Sequence, residues 1–354
     1  MSQRPVSLNG KTSKNFSHLI DQFKNVRILV IGDWILDEFV WGTVERISPE
    51  APVPVVNVVR ESFLPGGALN VANNIRTLNG FVYPCGMVGR DLYGRMLVKA
   101  MRKEGIDTSG AIYDTERPTT LKTRVIAHSQ QLVRFDKENS RELTGELFKK
   151  TTAFIDKIIS KVDAVIIEDY GKGMITPDLL KHVLKKAKAS KKPVLVDPKE
   201  KNFAYYEGTT VITPNRKEAL SAYGISKDGK IPEIQEIGKG LLKRFSCQAV
   251  LITLGEEGMM LFEKNGAITK IPTAAREVFD VSGAGDTVIA VFTLALAAGA
   301  SMKEAALISN QAAGIVVGKL GTATVNPQEL KQVFPGHQLE KKSGKKRVFS
   351  GVTA

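Results

Sequence analysis

Strand-like apolar runs alternating with helical ones predict an α/β protein with a central, mostly parallel sheet covered on both faces. Polar residues at successive strand ends and glycine turns before helices place a ligand site beyond those ends. Two segments break the rhythm, around 35–60 and 118–136, and predict a small accessory β lid.

In order, residues 1–25 read as a loose polar leader with a short helix through 16–23. Residues 26–33 are apolar without alternation, as a strand buried on both faces requires, and end in Gly-Asp. Residues 69–78 fit a helix, 81–87 a strand, and 93–104 a helix stopped by Gly105. A helix over 143–160 leads to a second buried strand, 164–167, followed by a helix over 179–189. Strands at 193–196 and 210–213 precede a helix opening at 218–222. Strands at 249–253 and 258–262 then give way to two apolar helices, 286–298 and 302–319. In the lid segments, Pro49, Pro52 and Pro54 precede a valine-rich run, and 120–128 pairs with 131–135 around Ser129-Gln130. Such a half-exposed sheet also suits a homodimer interface; the competing reading is an edge extension of the core. The body is one domain over 26–335, with a basic tail at 336–354.

The formal charge is +13 (50 basic minus 37 acidic), but Lys341, Lys342, Lys345, Lys346 and Arg347 concentrate part of it in the tail. With 7% aromatic residues and no basic-aromatic alternation, anionic small molecules are favoured over nucleic acid. Cys85 and Cys247 form no CxxC unit, and four scattered histidines show no metal spacing, so a cytoplasmic setting is expected. The polar N-terminus lacks a signal core, and 288–300 is too short to span a bilayer, so no membrane association is expected.

The sharpest chemical signal is Asp280-Val281-Ser282-Gly283-Ala284-Gly285-Asp286-Thr287 before an apolar helix. Glycines there bare the amides at the positive end of a helix, a site for phosphate. An acid in that position repels phosphate unless it takes a proton from an attacking hydroxyl; its competing role is helix cap. Strand ends carry Asp33, Asp169 with Lys172, Asp197 with Lys199, and Asn215 with Glu218. Pro65-Gly66-Gly67-Ala68-Leu69-Asn70 opens another helix, and Thr253-Leu254-Gly255-Glu256-Glu257-Gly258 joins two strands. No Walker-type loop is present, and no Gly-x-Gly-x-x-Gly follows the first strand, which disfavours P-loop NTPases and Rossmann dehydrogenases.

In this order the motifs resemble the ribokinase-like, phosphofructokinase-B family of carbohydrate kinases over about 26–334. Val281-Ser282 departs from the Thr-Thr or Thr-Gly of many members. Arg46-Ile47-Ser48-Pro49-Glu50-Ala51-Pro52-Val53-Pro54-Val55, Glu168-Asp169-Tyr170-Gly171-Lys172-Gly173 and Val196-Asp197-Pro198-Lys199 resemble the branch that phosphorylates heptose 7-phosphate. The resemblance implies a three-layer sandwich, ATP and Mg²⁺ as cofactors, and a monovalent cation as a further one. It implies Asp286 as general base and the amides of Gly283, Ala284, Gly285 and Asp286 as anion hole. Asn215, Arg216, Lys217 and Glu218 face the triphosphate, Glu218 acting on Mg²⁺ through water. Thr253, Gly255, Gly258 and Asn310 line the nucleotide, and Asp33, Gly66, Gly67 and Asn70 hold the sugar. Asp169, Lys172, Asp197, Lys199, Lys122 and Arg124 are candidates for a heptose and its 7-phosphate; ordinary surface charge is the competing reading for the basic ones. Only about twenty residues follow Phe334, so a separate nucleotidyltransferase is expected for the later pathway step. Rival readings are a kinase for another sugar phosphate and a non-catalytic sugar or nucleotide sensor.

Overall fold

The structure is a computed structural model that describes residues 10–128, 130–224 and 231–334. The expected basic tail, the start of the leader and Ser129 lie outside the described residues. In chain order the strands are β1 Arg27–Gly32, β2 Trp34–Ile47, β3 Pro54–Gly67, β4 Phe81–Gly89, β5 Gly110–Asp114, β6 Thr120–Ala127, β7 Gln130–Lys137, β8 Ala164–Glu168, β9 Val194–Asp197, β10 Val211–Ile212, β11 Ala249–Thr253, β12 Met259–Glu263 and β13 Ile268–Ile271.

Nine of them form one sheet in the order β13-β12-β11-β10-β9-β8-β1-β4-β5. It is parallel from β11 to β5, while β12 and β13 add an antiparallel edge. The continuous apolar run of β1 explains its central place. Ile28 and Val30 point into one helical layer, and Leu29 and Ile31 into the other, all four fully buried. The chain leaves β1 toward β4 and later returns to β8 on the opposite side. The carboxyl ends of β1, β8 and β9 therefore open on one crevice, in register from Gly32 to Glu168 to Asp197.

The second sheet, β3-β2-β6-β7, is the expected lid. Its first hairpin is longer than the sequence indicated. β3 continues to Gly67, so Gly66 and Gly67 end a lid strand, and the helix Ala68–Thr77 starts directly from it. The leader expectation is corrected: Gly10–Gln22 is a helix whose Phe16, Ile20 and neighbouring Phe23 are buried, with Phe16 against Phe334 at 4.9 Å between ring centres. Three apolar side chains removed from water tie that segment down. Strands β5 and β13 and the helices Ile234–Phe245 and Pro327–Gln332 complete the body.

The helix Ala284–Ala297 is buried along most of its length, from Asp286 through Ala295. It lies against Ala68–Thr77 and Met302–Val316. Its first turn faces the crevice, with Gly285 exposed there and Asp286 buried behind it. Among the described residues, no helix is long and apolar enough to cross a membrane.

Candidate active site

Gly283 caps the buried helix in the left-handed region, φ 77°, where a side chain would be strained. A β-carbon there would also stand 2.5 Å from the Asn70 amide nitrogen. That amide donates to Asp286 Oδ2 at 2.6 Å, and Asn74 in turn holds the carbonyl and side-chain oxygens of Asn70. The Tyr170 hydroxyl donates to the other oxygen, Oδ1, at 2.8 Å. Asp286 is 3% exposed, and burial pushes its pKa up to about 6, with Asn70 and Tyr170 opposing the rise. A carboxyl so placed can take up or release a proton just below neutral pH. Among the described residues, the amides of Gly283 and Gly285 at the first turn of the helix have no partner. The Ala284 amide, expected to join them, instead donates to the Val281 carbonyl.

Three cavities meet at this turn. One of 490 Å³, with apolar walls from Met259, Val281, Val288 and Val317, also contains Thr253, Gly255, Gly258 and Asn310. The second, 230 Å³, holds Asp169, Asp197, Lys199, Asn215 and Glu218 together with Gly283, Gly285 and Asp286. The third, 210 Å³, runs from Gly283 and Asp286 to a rim of Lys122, Arg124 and Arg134 under the lid. The three cavities together form a continuous space past Asp286.

The structure separates the sequence candidates. Asn215 and Glu218 form a reciprocal capping box, the competing structural role, while still lining the middle cavity. Arg216 pairs with Glu257 on the exposed surface, and neither it nor Lys217 lines any of the three cavities. Asp169, Asp197 and Lys199 line the second cavity, whereas Lys122 and Arg124 line the third. Asp169 is saturated by Asn202, Tyr206 and the Gly171 amide. Asp33 accepts from the amides of Tyr170, Lys172 and Met174, each at 3.0 Å, so it shapes the loop after β8 and lines none of these three cavities. Burial and the nearby Asp169 push its pKa up to about 6. Asn70 holds the base, and Lys172 pairs with Glu138.

The acid facing the acceptor cavity is Asp37, which the sequence reading passed over. Its carboxylate pairs with Arg124 from β6. Gly66 is a glycine because a β-carbon would lie 2.1 Å from Asp37 Oδ2. Gly67, φ 57°, lines the same cavity. Tyr170 and Arg134 were missed too; Tyr170 stands inside a quoted motif, which was the available signal.

Glu168, Asp197 and Asp286 offer carboxylate oxygens within 4.8 Å of one another. Among the described residues both Glu168 oxygens are buried without a hydrogen-bond partner, and burial beside Asp197 pushes its pKa well up. Carboxylate oxygens converging on one point, those of Glu168 unpartnered, fit a divalent cation such as Mg²⁺.

A nucleotide-sized chamber joined to a polar acceptor pocket through a single carboxylate defines a phosphotransferase of the sugar-kinase class. Residues 26–329 match the model of the pfkB family carbohydrate kinases, and the chain belongs to that family. It is 46% identical over 317 residues to the bifunctional protein HldE of Geobacter metallireducens, covering 90% of this chain. The corresponding protein of Geobacter sulfurreducens is 45% identical over 318 residues, again 90% of this chain. The chain spans 64% of the length of each of these relatives. Among solved structures it resembles Arabidopsis thaliana ribokinase complexed with ribose and ATP, with TM-score 0.68, 18% identity and coverage of 88% and 98%. Phosphofructokinase-2 from Escherichia coli in complex with substrates and products gives 0.72, 16% identity and coverage of 87% and 98%. At those identities the likeness is one of fold. Residues 26–329 are thus a carbohydrate kinase domain of this family.

Proposed function

We propose that this kinase transfers the γ-phosphate of ATP to the anomeric hydroxyl of D-glycero-β-D-manno-heptose 7-phosphate, giving the 1,7-bisphosphate for ADP-heptose and lipopolysaccharide-core synthesis. The observation that carries the reading is the acceptor pocket: a base at one end and Lys122, Arg124 and Arg134 at the other, as a sugar bearing a distant phosphate requires. The relatives named HldE support the same assignment.

Asp286 takes the hydroxyl proton while the sugar oxygen attacks phosphorus. Asn70 and Tyr170 fix the orientation of its carboxylate, and Asp37 holds acceptor hydroxyls. The amides of Gly283 and Gly285 and the positive helix end stabilise the charge that develops on the transferred group. Asp197 and Glu168, with Glu218 through water, would hold Mg²⁺, which neutralises phosphate charge when bound. Lys199 beside Glu218 meets the nucleotide phosphates. The lid exposes Val58, Val59, Val133 and Phe135, and a homodimer that covers this face is part of the proposal.

An ADP-release assay across phosphorylated heptoses, hexoses and pentoses, with NMR of the product, tests the reading. Turnover confined to heptose 7-phosphate with phosphate at the anomeric carbon is expected. Phosphate at another hydroxyl, or preference for a hexose phosphate, rejects the substrate while sparing the kinase.

A further inference from the structure

The lysines that the sequence marks for an acceptor phosphate are not free. Lys172 Nζ, from the loop after β8, donates to Glu138 Oε1 at 2.6 Å, and Lys122 Nζ, from the lid, lies 3.7 Å from Glu138 Oε2. One carboxylate therefore bridges two ammonium groups, one on the body and one on the lid. Lys122 also meets Asp136 Oδ2 at 3.0 Å, and Arg134 meets Asp136 Oδ1 at 3.1 Å. Both acids belong to the end of β7 and the residue just beyond it. The Lys172 backbone is fixed, its amide bonded to Asp33 and its carbonyl accepting from Arg117, with left-handed glycines on either side. The ammonium is presented by a rigid turn, whereas Glu138 stands at the end of a lid strand.

We propose that Glu138 is a specificity-determining residue that stands in for the acceptor's phosphate, its carboxylate oxygens taking the places of two phosphate oxygens between Lys122 and Lys172. The inference rests on the sugar-phosphate reading of the pocket. A phosphate dianion carries more charge and more acceptor oxygens than the carboxylate, so it can displace Glu138 and claim both lysines. A neutral sugar brings nothing to exchange for the broken pairs and leaves the carboxylate seated. Discrimination comes from the internal competitor as much as from attraction, a device that works through the unfavourable outcome for the wrong ligand. The same exchange replaces the direct ion pair between body and lid with a link through the acceptor phosphate, so acceptor binding is coupled to lid position.

The test is calorimetric binding of inorganic phosphate to the nucleotide-free protein, comparing the native chain, Glu138→Gln, and Glu138→Gln combined with Lys172→Ala. Removing a partly buried pair that competes for the site should tighten phosphate binding on the order of fivefold. The gain should vanish in the double variant, which distinguishes this site from the amide cradle at Gly283. Unchanged or weaker phosphate binding by Glu138→Gln would overturn the proposal and leave Glu138 as a structural clasp between lid and body. Because the probe is phosphate alone, the outcome does not depend on which sugar the enzyme accepts. Failure of the heptose assignment is read separately in the acceptor panel.

Discussion

Replacing Asp286 with Asn should abolish turnover and, above neutral pH, make the protein more stable. The carboxyl is 3% exposed, and its pKa is pushed from 3.8 to about 6 by burial. Two units correspond to about 3 kcal/mol between protonation states. The sign follows from the direction. A carboxyl whose folded pKa is raised binds its proton more tightly in the native state. That stabilisation is complete below the unfolded value near 3.8 and is lost as pH rises through 6. Above that point the native enzyme carries an ionised buried group that an amide avoids. Asn at this position can still accept from Asn70 and donate to the Tyr170 oxygen, so no polar group is stranded. Denaturant unfolding in metal-free buffer should show equal stabilities near pH 4 and a gain of about 2–3 kcal/mol for the variant at pH 8. Turnover should fall by about 10²–10⁴. A variant that is no more stable at pH 8 than the native chain, or that retains near-normal turnover, refutes the assignment of Asp286 as a buried base.

Three further outcomes follow from the geometry. Tyr170→Phe removes a hydroxyl that holds the Asp286 pKa down, so the acid limb of the kcat/KM profile should move to higher pH, with a larger loss at pH 6 than at pH 8; a stationary limb contradicts this role. Gly66→Ala puts a β-carbon 2.1 Å from the Asp37 carboxylate and should raise the acceptor KM by about ten- to a hundredfold, the worth of a hydrogen bond to a charged group. The KM for ATP should change little, and equal effects on both substrates would show general damage instead. Chelation should stop turnover, and Asp197→Asn should raise the Mg²⁺ needed for half-maximal rate by about tenfold or more; an unshifted Mg²⁺ titration removes Asp197 from the metal site.

Much of the architecture was legible because a strand covered on both faces must be apolar throughout, as Ile28–Ile31 and Val165–Ile167 are. Edge strands carry less of that signal. β5 alternates between buried and half-exposed or exposed positions, and β13 keeps only Ile271 buried. The helix Ile234–Phe245 starts without a side-chain cap and contains Gly238 and Gly240. Glycine weakens a helix pattern, yet Gly238 is required where the Phe262 ring would stand 2.3 Å from a β-carbon. In the site, the cradle at Gly283–Asp286 was readable because glycine, helix start and acid are adjacent in the chain. The Asn70–Asp286 pairing was not, since 216 residues separate partners that only folding brings together. Asp33 directly follows β1, and Asp37 stands four residues further on, inside β2. Which one faces the acceptor depends on where β2 turns away into the lid and on the Asp37–Lys122 register, both tertiary facts.

The division of labour between the two sheets bears on how such enzymes can diversify. The base sits on a helix sealed inside the body, whereas Asp37, Lys122, Arg124 and Arg134 all ride on strands of the lid. Rebuilding those few strands alters what is offered to the base without disturbing the base itself. An acceptor preference can therefore be rewritten from outside the core, much as a new die is fitted to an unchanged press.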